Sequence, residues 1–401
     1  MERGRLGLPG HIGSRPGPYP QHMTSSRTDA ALSAAVRFPD RLTLGTRGLV
    51  AAIVVSRAIV LLAAWSAEQI VTVNPRLTSG DGGPILRSLT SWDGWWYLGI
   101  ARDGYHAAPL VDGYHDYAFL PLWPLLVRLL SWPWPGLAGP IAVVLANALF
   151  VVGLVALVRL GEKVVGLERA ALGAILLAIF PFSAVFSMAY AESLFLCLST
   201  GAFLAAERDR RLLAGILVAL AAATRLQGAV LALPVWLLLF LRDGRRLRPS
   251  QAWLLLGPLT AVAFLGAVAV LAGSAGAYGA AQAAWGRAGV GGAAPDESLI
   301  SLLSLVNVVQ LVTLLAAVFL LVFLRPDRIP LPYGLLTMLS LGLVFASGSL
   351  ESIGRHVMMA FPYSWLLAGR QARWFRLGWP VASLVLLFVL STAMFAGRFV
   401  P

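Results

Sequence analysis

The chain reads SWDGWWYLGIARDGY from Ser91 to Tyr105, a charged and aromatic stretch in a mostly apolar sequence. Its apolar residues recur at nearly helical spacing, so we predict a short amphipathic helix that begins at Asp93 and lies on a membrane surface. Aromatic rings gather at the boundary between lipid and water. Asp93 has two interpretations here. It is either a general base for a substrate hydroxyl or a solvated loop acid, and an Asp at a helix start is also a favourable cap.

The rest of the sequence is typical of a helical membrane protein. Its 401 residues are 58% hydrophobic and 12% charged, with a mean hydropathy of +0.77, whereas soluble domains carry about 25% charged residues. We predict an all-α polytopic membrane protein with about eleven spans, since many runs approach the length that crosses a bilayer. The predicted runs are 46–68, 138–158, 170–190, 191–206, 212–224, 226–241, 252–272, 299–324, 331–348, 357–369 and 378–397.

The net charge of +12 is concentrated in short loops, which favours a topological role over nucleic-acid binding. Arginines mark the N-terminal region and four loops as cytoplasmic, namely 207–211, 242–248, 325–328 and 370–376. These five basic regions can all be cytoplasmic only if the segment 118–131 does not span the membrane and the segment 212–241 crosses it twice. We therefore predict a disordered cytoplasmic tail over 1–45 and a membrane domain over 46–401. Its first extracytoplasmic loop, 69–137, carries the interfacial helices of a multi-pass cell-membrane protein.

This topology collects the unusual polar residues on the extracytoplasmic face. They are Asp93, Glu192, Arg225, Gln227, Gln282, Glu351, Arg355 and His356. Charged groups at the ends of spans are costly in lipid and usually face a cavity or a partner, so we predict a single site there. Glu192 and Arg225 form either a structural ion pair or part of a site in which Arg225 binds phosphate. Arg355 either binds phosphate or pairs with Glu351.

Two further features belong to the same face. Tyr278, Gln282 and Trp285 share one side of a predicted helix, where they either anchor the chain at the interface or line a substrate pocket. The prolines at 121 and 124 predict a break at the entry of an interfacial helix. Five His, a lone Cys and no dense acidic cluster do not indicate a metal site.

Together these motifs resemble the PIG-V family of mannosyltransferases, from about residue 46 to about residue 396. The first-loop pattern of the family is met by Trp92-Asp93, Tyr97, Ile100-Ala101, Gly104-Tyr105, Phe119, Pro121 and Pro124. The later elements are met by Tyr190-Ala191-Glu192, Arg225 to Gly228, the Tyr278, Gln282 and Trp285 arrangement, and Arg355 with Phe361-Pro362. The chain departs from the eukaryotic pattern at Ser91, Leu120 and Leu226-Gln227. Its abundant Ala, Gly and Arg suggest a bacterial member.

The resemblance implies a GT-C glycosyltransferase fold and a polyprenyl-phosphate sugar donor, with mannose transferred under inversion. Asp93 would be the catalytic base, and Arg225 or Arg355 would hold the donor phosphate. The other residues expected to bind substrate are Trp92, Tyr97, Tyr105, Glu192, Gln227, Gln282, Trp285 and His356. No cofactor and no metal are expected. The expected partners are the lipid-linked donor, membrane lipids and a glycolipid, glycan or protein acceptor.

A transporter or lipid flippase is the alternative class. Transporters tend to show internal repeats and polar residues at the bilayer midplane in broken helices. This sequence shows no internal repeat, and its polar residues gather at one face, so the glycosyltransferase interpretation is favoured.

Overall fold

A computed structural model describes residues 41–70, 82–109, 113–285, 305–322, 329–347, 352–369 and 373–398. Gly45–Pro401 form one compact unit. Met1–Leu44 form a separate unit, of which only the helical backbone of 41–44 is described. The predicted disordered tail over 1–45 therefore lies almost entirely outside the described residues.

The described residues form helices joined by short irregular segments and contain no β-strand, which confirms the predicted all-α class. The helices are α1 Arg41–Ile70, α2 Pro84–Leu89, α3 Asp93–Asp103, α4 Leu122–Ser131, α5 Ala138–Val165, α6 Leu167–Ala178, α7 Glu192–Glu207, α8 Arg211–Thr224, α9 Gln227–Val230, α10 Ala232–Arg242, α11 Leu256–Ala272, α12 Ala277–Ala284, α13 Leu305–Val322, α14 Leu331–Ser347, α15 Ile353–Met359, α16 Pro362–Ala368 and α17 Arg373–Phe395. Short 3₁₀ helices form at Asp116–Ala118, Pro135–Leu137, Ser183–Phe186 and Pro249–Leu255.

Four helices within the described ranges are long and apolar enough to cross a membrane. They are Gly45–Ile70, Pro135–Val165, Pro249–Ala272 and Gly378–Phe395. The predicted count of about eleven spans is not confirmed, because several apolar helices are shorter. The region predicted not to span forms α4, whose ten residues reach only about 15 Å, half the thickness of a bilayer core.

The predicted apolar run 170–190 is wrong as a single helix. Helix α6 ends at Ala178, and an irregular segment over 179–191 precedes α7. Pro181 has no backbone N–H to continue the helical hydrogen bonds. Arg57 of α1 donates from Nη2 to the carbonyl of Ala178 at 3.4 Å and to that of Ser183 at 3.2 Å. This cation supplies donors to two buried carbonyls in place of helical N–H groups, so the chain can leave the helix.

Two other predicted runs are also interrupted. Run 357–369 is divided between α15 and α16, with Ala360 and Phe361 between them, and Pro362 begins the second helix. Run 226–241 is divided between α9 and α10 at Leu231. Both breaks lie close to residues predicted for the site.

Small and aromatic residues hold the central helices together. Phe150 of α5 stacks on Phe186 with ring centroids 4.4 Å apart. Phe203 of α7 stacks on Tyr333 of α14 at 4.7 Å. Gly153 of α5 faces Leu196 of α7 so closely that a side chain at 153 would collide with it. This dense packing fixes α7, whose first residue is Glu192.

Candidate active site

The site begins at the strained entry to α3. Trp92 has φ 55° and ψ −126°, a conformation that a residue with a side chain rarely adopts. Its indole Nε1–H donates to the carbonyl of Met394 at 2.9 Å. Asp93 follows as the first helical residue, as predicted, but its predicted capping role is wrong. Trp92 takes the cap position without a side-chain cap bond, and the Asp93 carboxylate points to another partner.

That partner is Arg355. Acidic and basic side chains then alternate from Asp93 through Arg355 and Glu192 to Arg225. Arg355 Nη1 donates to Asp93 Oδ2 at 2.6 Å, and its Nε lies 3.4 Å from Glu192 Oε1. Glu192 Oε1 also pairs with Arg225 Nη1. Arg225 Nε in turn donates to Gln227 Oε1 at 3.3 Å. Residues from α3, α7, α9, α15 and the α8 terminus thus meet in one network, with two carboxylates facing two guanidinium groups.

Burial differs sharply along this line. The Glu192 side chain is 0% exposed and that of Arg355 3%, whereas those of Arg225 and Asp93 are 12% and 14% exposed. Burial alone would lower the pKa of Arg355, but Asp93 and Glu192 outweigh it, and the pKa lies above its ordinary value. The guanidinium therefore stays charged. Asp93 and Arg225 are the more exposed of the four charged side chains.

Two tyrosines border the network. The Tyr190 hydroxyl accepts the backbone N–H of Asp93 at 3.2 Å, and its ring lies 5.7 Å from the Arg355 guanidinium. The Tyr97 ring meets Phe119 edge-on at 5.1 Å. Burial, followed by the charge of Glu192, raises the pKa of Tyr97 well above its ordinary value, so its hydroxyl stays protonated.

Three other residues that were predicted to bind substrate lie next to Phe119 and its neighbour Ala118, outside the charged network. The Tyr105 hydroxyl donates to the Phe119 carbonyl at 2.7 Å. Gln282 of α12 donates from Nε2 to the Ala118 carbonyl at 3.3 Å. The Trp285 ring lies 5.9 Å from that of Phe119. These contacts form a wall on which the first loop packs, between α3 and α12.

His356 is directed elsewhere. Its Nδ1 lies 2.8 Å from the carbonyl of Ser352, at the start of its own helix. The predicted alternative partner of Arg355, Glu351, lies outside the described residues. In the part of the chain that the structure describes, no group of three His, Cys, Asp or Glu side chains is arranged to hold a metal ion.

Sequence reasoning missed how the segment before Glu192 is held. The Trp123 Nε1–H of α4 donates to the Ala189 carbonyl at 2.9 Å, and the Ala189 N–H donates to the Leu89 carbonyl at 2.8 Å. Arg57 was also missed, although a cation in the middle of an otherwise apolar run is a signal for a polar partner. Arg57 Nη1 donates to Ser187 Oγ at 2.9 Å.

A family model described as Mannosyltransferase (PIG-V) matches residues 68–235. Over these residues the chain is similar to the PIG-V mannosyltransferase family. The PIG-V segment includes Asp93, Glu192, Arg225 and Gln227, whereas Arg355 lies beyond it. The resemblance predicted from the motifs is thereby confirmed for this part of the chain.

Two curated rodent proteins are similar to part of this chain. GPI alpha-1,6-mannosyltransferase 2 of Mus musculus is 36% identical over 156 residues, which cover 36% of this chain and 30% of that protein. The Rattus norvegicus protein of the same name is 35% identical with the same coverage. The aligned part thus spans less than a third of the length of these relatives. A structure of the Archaeoglobus fulgidus oligosaccharyltransferase in the apo form superposes with a TM-score of 0.48 and 13% identity, covering 89% of this chain and 56% of that one.

Proposed function

We propose that this protein is a membrane glycosyltransferase that moves mannose from a polyprenyl-phosphate donor to a hydroxyl of an extracytoplasmic glycolipid, glycan or protein. The PIG-V segment supports sugar transfer. The observation that carries the site assignment is the exposure of Asp93. Among the described residues its only side-chain hydrogen bond joins Oδ2 to Arg355, which leaves Oδ1 for a hydroxyl. Glu192, the other acid of the network, is fully buried.

In the proposed step the acceptor oxygen attacks the anomeric carbon of the sugar from the face opposite the phosphate. The new glycosidic bond forms as the bond from that carbon to the phosphate oxygen breaks, and the configuration inverts. The hydroxyl proton passes to Oδ1 of Asp93, and the electron pair of the broken bond leaves on polyprenyl phosphate. Such general base catalysis contributes about 10²- to 10⁴-fold to the rate. Arg355 holds the carboxylate in place through Oδ2.

Arg225 is the favoured residue for the donor phosphate. It is more exposed than Arg355, and its Nη2 has no hydrogen-bond partner among the described residues, while Nη1 and Nε contact Glu192 and Gln227. A planar guanidinium fork suits phosphate oxygens. A fixed positive charge beside the leaving phosphate stabilises the charge that develops there.

An apolar groove near Arg225 supports a lipid-linked donor. It has a volume of about 340 Å³, and its lining includes Tyr105, Ala223, Phe264, Val268 and Leu271. Ala223, which precedes Arg225 by two residues in the chain, is part of this lining. An isoprenoid chain would find little polar surface there.

The test is a transfer assay with the full-length protein in detergent, polyprenyl-phosphate [14C]mannose and a panel of glycolipid, glycan and hydroxyl-peptide acceptors, with and without EDTA. We expect Asp93→Asn to lower the rate by at least about 100-fold and EDTA to leave it unchanged. Asp209→Asn is the matched control, because Asp209 is 64% exposed and its φ of 58° suits Asn.

Three outcomes contradict separate parts of the proposal. Undiminished transfer by Asp93→Asn removes the base assignment. A wild-type protein that turns over no polyprenyl-phosphate mannose with any acceptor in the panel contradicts the function itself. A rate that collapses in EDTA shows that the arginines do not suffice to stabilise the leaving phosphate.

A further inference from the structure

A second, smaller cavity lies along α3, on a face that is turned away from Asp93. At about 100° per residue, Trp95 and Arg102 point roughly 160–180° from Asp93 around the helix axis. The cavity has a volume of about 150 Å³. Sites for drug-sized ligands occupy roughly 300–1,000 Å³, so this cavity has room only for a smaller ligand. Its polar and aromatic lining includes Trp95, Trp96, Arg102, Asp103, His106 and Asp116.

His106 is held in this cavity by a buried acid. Asp116 is 0% exposed, and its Oδ2 accepts the His106 backbone N–H at 3.0 Å and lies 2.9 Å from His106 Nδ1. A carboxylate only accepts hydrogen bonds, so Nδ1 carries the proton and, in the neutral ring, Nε2 is an acceptor. No described residue hydrogen-bonds Nε2, and the side chain is 35% exposed.

The side-chain contacts of Asp116 are with His106 and His115. Its other oxygen, Oδ1, lies 2.7 Å from Nδ1 of His115 in a geometry that forms no hydrogen bond. Burying a carboxylate is costly unless its oxygens are satisfied. Among the described residues, both hydrogen bonds that the Asp116 side chain accepts come from His106. They fix the ring orientation and with it the direction of the Nε2 lone pair.

A rigid aromatic wall and a charged rim complete the cavity. The half-buried Trp95 meets Trp96 edge-on with ring centroids 5.0 Å apart, and Trp96 stacks on Phe119 at 5.7 Å. At the rim, Arg102 Nε donates to Asp103 Oδ2 at 2.9 Å, and both side chains are exposed. An apolar wall with a few oriented donors and acceptors is the usual composition of a small-molecule site.

We propose that this cavity binds one pyranoside unit of the acceptor glycan. Trp95 offers a surface for the apolar face of the sugar ring, Nε2 of His106 accepts one ring hydroxyl, and the Arg102–Asp103 pair serves those at the rim. The assignment of this sugar to the acceptor rests on the proposed transferase function. Binding of a pyranoside by the cavity does not.

The first test measures binding without turnover, by saturation-transfer NMR in a detergent that has no sugar headgroup. The probes are methyl α-mannoside and methyl α-glucoside, with cyclohexanol as a ring of similar size that has one hydroxyl. We expect a pyranoside signal from the wild type that is at least fivefold weaker in both His106→Gln and Trp95→Ala. Trp132→Ala, at a 73% exposed residue outside the cavity, keeps the signal. No wild-type signal, or equal signals in all four proteins, overturns the proposal.

The second test separates the two proposals in the transfer assay. We expect His106→Gln to raise the KM for the acceptor at least tenfold, with kcat within threefold and the donor KM unchanged. Transfer with an unaltered acceptor KM removes the subsite and leaves the transferase function in place. Pyranoside binding that depends on His106, in a protein that transfers no sugar, keeps the cavity as a sugar site and removes the proposed function.

Discussion

One buried carboxylate holds both arginines of the charged network. Glu192 Oε1 pairs with Arg225 and lies 3.4 Å from Arg355 Nε, while Arg355 reaches Asp93. Glu192 also begins α7, where a negative charge is favoured by the helix dipole. The positions of the proposed base and of the proposed phosphate ligand therefore both depend on this residue.

We predict that Glu192→Gln destabilises the protein by about 3–5 kcal/mol, because removing one partner of a buried ion pair leaves the other charge uncompensated. Thermal unfolding in detergent measures the effect. Glu168→Gln is the control, since Glu168 is exposed on α6 and surface substitutions usually change stability by about 0.5 kcal/mol or less. Identical melting temperatures for the two variants would show that the pairs contribute little.

Arg225→Lys tests the phosphate assignment separately from stability. Lysine keeps a positive charge opposite Glu192 but lacks the planar fork of donors. We predict a donor KM at least tenfold higher, with the acceptor KM unchanged, in steady-state kinetics with each substrate varied in turn. A rise confined to the acceptor KM would move Arg225 to the acceptor side of the site.

At the scale of elements, the site depends on segments that are not regular helices. The segment 179–191 is held by α1, α2, α4 and α5, through Arg57, Leu89, Trp123 and Asn147. It delivers Tyr190 and Glu192 to Asp93 and the arginines. A continuous helix through this region would place the same residues elsewhere along the bundle.

The close approach of α9 to α8 also depends on Gly228, the second residue of α9. A Cβ atom at this position would collide with the backbone of Ala221 and Ala222 in α8, and backbone atoms cannot move aside as a side chain can. We predict that Gly228→Ala displaces the neighbouring Arg225 and lowers the transfer rate at least tenfold, with a lower melting temperature.

The control for this change is Gly266→Ala in the interior of α11, where an added Cβ meets nothing within 4 Å. Alanine is favoured over glycine in a helix by up to about 1 kcal/mol. Gly266→Ala should therefore melt at the same or a higher temperature and keep full activity. If Gly228→Ala behaved in the same way, the close approach of α8 and α9 would be unimportant for the site.

At the scale of the whole molecule, the orientation across the membrane decides which substrates reach Asp93. We propose that α3 faces the extracytoplasmic side, because the arginine-rich loops mark the opposite side. We predict that a cysteine at Arg102 reacts with a membrane-impermeant maleimide in intact cells and that one at Asp209 does not. Both side chains are well exposed, at 72% and 64%, and neither change removes a positive charge from a predicted cytoplasmic loop.

The background for this experiment is a variant in which Cys197 is replaced by Ser. Cells opened with detergent should label both positions, which confirms that each cysteine is reactive. Labelling of the Asp209 position alone in intact cells would reverse the proposed orientation and place the site in the cytoplasm.

The sequence by itself was enough for the helical membrane class, the start of α3 at Asp93 and the similarity of residues 68–235 to the PIG-V family. These depend on composition, on local spacing and on motifs, all of which are contiguous in the chain. It was also enough to bring Glu192 and Arg225 together as a possible ion pair, since both are costly to leave alone in lipid.

Only the tertiary structure decided that Arg355 pairs with Asp93, 262 residues away in the chain, and that Glu192 joins it to Arg225. Such a contact depends on how α3, α7 and α15 pack, which hydrophobic patterns do not encode. The same holds for the break at 179–191, where the donors of Arg57 outweigh the local preference of an apolar run for continued helix. The tertiary structure also showed the cavity on the second face of α3. Asp116 is buried beneath His106 only because the loop after α3 folds back onto that helix.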